Sequence, residues 1–429
     1  MLKKIALIFV SILFVSFSKS QDSTKLKSEI LFQKNGLPIG SKYPWKLPKH
    51  ILKFSLESEA YSNSTAIPAS FSNSFLFPRF IDETLKNNAI KKLDSKNRFG
   101  AFFQTKIGVM FYPDSTWKEQ QQAFEISYKN QNIIGSEFSS DFFKLVFNGN
   151  AQFAGQTANL SETHFSILNF ESINLGFLKS FNSSGFSLQF GLVRGKSYTD
   201  LNLKNGGLYT AADGSQLNVD FSGNFEQSSR FSNQFNANPS MGAAFGFEYN
   251  LQLRRGFNLD IKAEDIGFVN WNEKTDLISR DTTFIFNGIN VNDIINTNKD
   301  LAFLGDSLVN KLRGPIVKSS SMVALPAFFQ TRISKYFTNK WILSLTLNYR
   351  YFTGYSLLKK LEIGKRLNKD RYILLSLAEG GFGNFQTGIQ LVLINNTRHF
   401  LKIGTTANEG FISKKLSGNG MMIQYSMQL

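Results

Sequence analysis

At 429 residues, with 44 Phe, 13 Tyr and no Cys, the chain is too long and too aromatic for a small disulfide-stapled secreted domain. Its formal net charge of +16 at pH 7 calls for an anionic counterpart. The export signal at its start sets nucleic acid aside in favour of anionic envelope polymers such as lipopolysaccharide.

Lys3 and Lys4 form a basic start, and IALIFVSILFVSF (5–17) is apolar. Small residues Ser18 and Ser20 then stand at −3 and −1 of a cleavage before Gln21. This three-part pattern predicts a signal peptide over 1–20, and its apolar run is too short to span a bilayer. Residues 21–50 are Lys-rich and poorly periodic, which predicts a periplasmic N-terminal arm or a plug. No second long apolar run follows. The remaining options are a soluble β-rich protein or a transmembrane β-barrel, because only helices and closed barrels cross lipid.

From 51 to 429 the sequence alternates with period two. In WILSLTLNYRY, Trp341, Leu343, Leu345, Leu347, Tyr349 and Tyr351 share one face; Ser344, Thr346, Asn348 and Arg350 share the other. A bilayer needs about 9–11 residues of tilted strand, and rings at both ends of an apolar band suit a lipid face. FNLDIKAED sets Phe257, Leu259, Ile261 and Ala263 against Asn258, Asp260, Lys262 and Glu264, which implies water rather than a packed core behind the sheet. Near the N-terminal end, RFGAFFQTKIGVMFY repeats the pattern.

Short polar connections at 182–185, 254–256, 338–340, 368–370 and 395–397 alternate with longer ones such as 378–384 and 408–420. That is the outer-membrane arrangement of short periplasmic turns and longer outer loops. Fifteen strand starts stand out, near residues 51, 99, 123, 164, 186, 216, 242, 257, 322, 341, 358, 372, 385, 399 and 421. An even-numbered barrel of about 14 strands (roughly 12 to 16) is expected, so one start belongs to a loop hairpin or a plug piece. The fold class is therefore an all-β, transmembrane antiparallel β-barrel with short helical plug or loop segments. Three stretches read as non-strand. In 63–97, Asp82 caps a helix carrying Leu85, Ile90 and Leu93. The stretch 139–150, SSDFFKLVFNGN, reads as a short amphipathic helix. The long loop insertion 272–320 reads as a plug, a cap or a lid.

The chain ends on MMIQYSMQL, where Ile423, Tyr425, Met427 and Leu429 share an apolar face. This predicts a closing strand recognised by the barrel-insertion machinery.

Catalysis and cofactors are not expected. His50, His164 and His399 lie far apart and there is no Cys, so no clustered metal site forms. Ser161 is three residues before His164, on the opposite side of a strand. Asp260 and Glu264 read as lumen charge beside Lys262 rather than a glycosidase pair. The pairs Lys359–Lys360, Lys365–Arg366 and Lys414–Lys415 read as solvated charge or as contacts to lipopolysaccharide phosphate.

DFFKLVFNGNAQFAGQT (141–157), AEDIGFVNW (263–271) and FIFNGIN (284–290) resemble a Bacteroidota family of outer-membrane β-barrels of unknown function. Gly149, Asn150, Gly155, Asp265, Gly267, Phe268, Trp271, Phe286 and Gly288 fall where that family's recurring residues fall. The family is similar in architecture to FadL and to PorV-type barrels. The resemblance implies an outer-membrane location and a barrel; it carries no catalytic residue. Two readings follow. One is a FadL-like barrel that binds or passes hydrophobic or amphipathic molecules. The other is a non-transporting partner barrel of a type IX secretion or gliding machinery. Expected partners are outer-membrane lipid and lipopolysaccharide, the insertion machinery and, under the second reading, secretion components.

Overall fold

Alternation decides which side of each strand meets lipid. Leu345 is 50 % exposed and Leu347 40 %, whereas Ser344 and Thr346 between them are each 2 % exposed. The same inversion runs along Leu375 and Leu377, which are exposed, against Ser376 between them, which is buried. Apolar residues outside and polar residues inside is the pattern of a sheet that faces hydrocarbon with its outer surface.

The computed structural model describes residues 52–76, 80–112, 121–181, 184–228, 240–271, 275–286, 317–338, 340–368, 370–395 and 399–428. The signal cleavage at Ser20 and Gln21, the arm 21–50, Gly288, most of the insertion 272–320 and Leu429 lie outside the described residues.

Strands β1 (Leu52–Ser64), β2 (Lys96–Phe111), β3 (Gln121–Ser139), β4 (Gln156–Asn159), β5 (Thr163–Ser180) and β6 (Ser184–Thr210) come first. They are followed by β7 (Leu217–Ser228), β8 (Ser240–Gln252), β9 (Phe257–Asn270), β10 (Thr275–Phe286), β11 (Val317–Ser319) and β12 (Met322–Ala324). The chain ends with β13 (Phe328–Thr338), β14 (Trp341–Arg350), β15 (Ser356–Arg366), β16 (Arg371–Gly381), β17 (Phe385–Asn395), β18 (His399–Ala407) and β19 (Asn419–Gln428). Strands β1, β2, β3, β5, β6, β8, β9 and β13 to β19 pair in that order to make a closed antiparallel barrel of 14 strands. The closing seam is β1 against β19, from Lys53↔Gln428 to Ser62↔Asn419. Ile423, Tyr425 and Met427 therefore lie on the strand that closes the ring.

The fifteenth start is resolved by β6. At 27 residues it is far longer than a bilayer requires, about 9–11 residues. Its first part pairs with β8 in the wall. Its last part, from Thr199 to Thr210, pairs with β7, and β7 pairs along its length with β10. The strand that starts near 216 is thus a blade beyond the ring rather than a wall strand. The non-strand reading of 272–320 is corrected here, because Thr275–Phe286 is a strand of that blade. Ser279, Arg280, Asp281, Thr282 and Thr283 put polar groups on both faces, as a sheet wetted on both sides allows. Without one apolar face, period two is invisible in the sequence.

The connections on the blade side carry the helices: α1 (Ala69–Leu76), α2 (Glu83–Ile90), α3 (Ser140–Asn148) and α4 (Glu409–Ile412). Asp82 caps α2 by accepting from the Leu85 amide at 2.8 Å. Ser139 caps α3 by accepting from the Phe142 amide at 3.1 Å, and Gly149 ends it at φ 80°. These are the side-chain acceptor that helices favour at the start and, at the end, a positive-φ conformation that glycine adopts without strain. Phe71, Ala89, Phe138 and Phe143 pack into one cluster over the barrel mouth, with Leu85, Ile90 and Leu93 against it.

The outward face makes one measurable claim. Leu345→Arg, in the middle of the lipid band, is expected to destabilise the barrel by about 2–4 kcal/mol. Urea unfolding from liposomes, followed by heat-modifiable gel migration, reads this out. A cost near zero would mean that this face does not meet hydrocarbon.

Candidate functional site: the barrel interior

Among the described residues, inward side chains form a charged zone and an aromatic zone, and an apolar cluster of Ile342, Tyr372, Leu374, Val392 and Phe400 fills the short-turn end. In the charged zone, Lys106 meets Glu125 at 3.2 Å, Lys129 meets Asp265 at 2.5 Å, and Arg332 meets Glu362 at 2.9 Å. Lys262 lies 2.8 Å from Glu264 and 3.7 Å from Glu248, so the residues read from FNLDIKAED do line the lumen. Asp260 accepts instead from the Asn250 amide at 3.0 Å. A cavity lined by Lys106, Lys129, Asn174, Gln189, Glu264 and Asp265 opens between these pairs; it is of water size and polar enough to hold water. Opposite charges paired inside the lumen keep each other's burial tolerable.

The second zone is aromatic. Phe170, Trp271 and Phe382 are buried together with Tyr61, and Phe102, Tyr198, Phe352 and Tyr355 pack against them. Two of these rings come from a turn. Residues 351–355, between β14 and β15, fold inward instead of outward. The Tyr351 backbone amide donates to the Ala327 carbonyl at 2.8 Å, and the turn then reaches β3 on the far side of the ring. A Cβ on Gly135 of β3 would lie 2.1 Å from the Thr353 carbonyl oxygen, so the wall needs glycine where the turn lands. Gly354 has φ +74° and a Cβ there would lie 2.5 Å from the Ser136 carbonyl, which makes glycine necessary on the turn as well. Tyr355 meets Phe382 edge-on, with centroids 5.0 Å apart. The Tyr61 hydroxyl donates to the Gln386 side-chain oxygen at 2.9 Å, so the polar end of that buried ring is satisfied.

A hydroxyl–imidazole–carboxylate group stands where the turn meets the wall. Nε2 of His164 lies 3.0 Å from Oδ1 of Asp200 and 3.2 Å from Oγ of Ser166. Ser166 also bonds Asp200 directly, and its hydroxyl is 2.8 Å from that of Thr353. In a hydrolase triad the carboxylate holds the other ring nitrogen and leaves the serine to the first. Here serine and carboxylate share one nitrogen, and the serine is tied to the carboxylate. The group fastens the turn; it is not set for nucleophilic attack. Ser161, the serine weighed against His164 in the sequence, bonds the Gly206 carbonyl at 3.3 Å. The effective partner is Ser166, two residues from His164 and so on the same side of the strand.

The family-motif residues do not form one site. Gly149, Asn150 and Gly155 lie in the loop layer, where Gly155 at φ +75° donates to the Thr210 carbonyl at 2.8 Å. Asp265, Gly267 and Trp271 cluster around β9. Gly267 passes so close to β8 that a Cβ would lie 1.9 Å from the Ala243 carbonyl. Trp271 stacks on Tyr198 at 6.0 Å. Phe268 faces outward, and Phe286 ends β10.

No curated protein matches this sequence. Among solved structures, the chain is similar to the Ralstonia pickettii toluene transporter TbuX, with 10% identity, 89% of this chain and 90% of that one covered, and a TM-score of 0.44. It is similar to the P. putida toluene transporter TodX, with 10% identity, 89% and 91% covered, and a TM-score of 0.43. It is also similar to a Pseudomonas aeruginosa FadL homologue, with 8% identity, 89% and 90% covered, and a TM-score of 0.40. The model of a family described as "Family of unknown function (DUF5723)" matches residues 41–368, and the chain belongs to that family.

Proposed function

We propose that this chain is a FadL-like outer-membrane β-barrel that binds or passes amphipathic molecules. In this reading, the signal over 1–20 exports it, the insertion machinery recognises its closing strand, and lipid and lipopolysaccharide surround it. The observation that carries the reading is the layered interior: a buried aromatic cluster beneath the loop helices, with the 351–355 turn folded into it, and an ion-paired lumen beside it. The rings of that cluster suit the apolar part of a solute that parts them, and the charged zone suits its polar part. Across the lumen the turn is held by the Thr353 hydroxyl on Ser166 and His164 and by ring contacts, without a backbone ladder, so a solute can displace it.

Equilibrium dialysis of 1-naphthol, a neutral amphiphile, against protein in nanodiscs tests the reading. Saturable binding is expected, and Phe382→Ala with Tyr355→Ala should weaken it. Uptake no greater than into empty nanodiscs would sink it.

The second reading, a partner barrel of a type IX secretion or gliding machinery similar to PorV, is favoured by one observation. Phe80, Val146, Phe411 and Ile412 are exposed on the loop side, and a docked partner would take these apolar side chains out of water. Defined secretion components that co-purify with the wild type but not with Phe411→Ser/Ile412→Ser would favour it.

A further inference from the structure

Arg350 is the inward residue at the junction of the two zones, directly before the turn. It is 4 % exposed. Its guanidinium lies between two rings, 5.0 Å from the centroid of Phe102 and 5.1 Å from that of Phe328. Its Nε and Nη1 are buried and accepted by no group among the described residues. A buried guanidinium normally has its donors taken, because an unmet charged donor is costly.

The surrounding charges do not supply the missing acceptor. Lys360 reaches Glu362 at 3.5 Å, and that carboxylate is already held by Arg332. Glu59 is within electrostatic reach of Arg350, Lys360 and Lys402 together, yet it forms no ion pair with Arg350. Glu59 is thus shared among three cations, and the second carboxylate, Glu362, is taken by Arg332 and Lys360. Gln131 lies in the same row of the wall through the register Glu59↔Gln104↔Gln131. It is fully buried and both its amide atoms are unmet among the described residues. Lys360 and Lys402 are only partly buried, which leaves an approach along the lumen.

We propose that Arg350, backed by Lys360 and Lys402, is a binding site for one small oxyanion, a carboxylate or phosphate group. The rings hold the guanidinium plane, which fixes its donors for a planar or tetrahedral oxyanion. Lysine at 350 would lose this, because an ammonium is neither planar nor forked. The site requires a barrel interior and does not require passage of an amphiphile.

The test is isothermal titration of the protein in nanodiscs with inorganic phosphate, acetate and hexyl phosphate. Binding of at least one is expected, weakened about tenfold or more in Arg350→Gln, the loss expected for charge-assisted bonds. Binding of the free ions assigns the site to soluble anions; binding of hexyl phosphate alone assigns it to a headgroup. Glu59→Gln removes a competing carboxylate and should tighten binding, which keeps the test intact if Arg350→Gln fails to fold. No binding by any of the three probes overturns the proposal, as does equal binding by Arg350→Gln or no gain in Glu59→Gln. 1-Naphthol carries no oxyanion, so its binding and that of phosphate are read independently on the wild type, and the two readings fail separately.

Discussion

Gly135→Val is expected to open the barrel. The added side chain enters the space occupied by the Thr353 carbonyl and the edge of Phe352, whose nearest atoms would lie 2.1 and 2.8 Å from the new Cβ. The 351–355 turn has no covalent tie to that wall, whereas β3 is paired along its length with β2 and β5. The turn therefore yields before the strand does. Overpacking of this kind costs about 1–3 kcal/mol, which shifts a closed–open equilibrium by up to roughly a hundredfold. Planar-bilayer conductance measures it: the wild type should stay near the bare-bilayer background, and Gly135→Val should show steady open events. Thr353→Ala should move the same way by a smaller amount, because it removes the link to Ser166 and leaves the ring contacts in place. Conductance that stays at background in Gly135→Val, with the barrel still heat-modifiable, would show that the turn is not the closure.

The wall was legible because lipid and lumen sort residues one by one along each strand. WILSLTLNYR and FNLDIKAED keep in the fold the inside and outside that their alternation predicts. The two loop helices were legible for an equally local reason, since Asp82 and Ser139 cap within three residues of themselves. The interior was not legible. Thr353 and Ser166 are 187 residues apart, and the pairing of Arg350 with Phe102 spans most of the barrel. Such contacts are set by the closure of the ring, to which no local pattern refers. The blade strand Thr275–Phe286 was hidden for the opposite reason, since water on both faces leaves no periodic signal.

Asp265 shows how a motif residue recognisable in sequence acquires its reason only in the fold. Between the pairs Phe245↔Ile266 and Phe247↔Ala263, β8 contributes one residue, Gly246, while β9 contributes Glu264 and Asp265. This is a bulge, and Asp265 takes the left-handed conformation at φ 55°, which Asp and Asn tolerate better than most side chains. The bulge turns two successive acids into the lumen and gives Lys129 its buried partner at 2.5 Å. Asp265→Ala leaves the Lys129 charge unpaired, which costs about 3–5 kcal/mol, and adds about 1–2 kcal/mol for the conformation. Asp265→Asn keeps the conformation and an acceptor oxygen, so its loss should be the smaller. Lys129→Met combined with Asp265→Asn should recover part of it, because no charge is then stranded. Urea unfolding midpoints of the three variants in liposomes decide the matter. If alanine and asparagine lose equally and the double variant recovers nothing, neither the bulge conformation nor the ion pair is what holds this part of the wall.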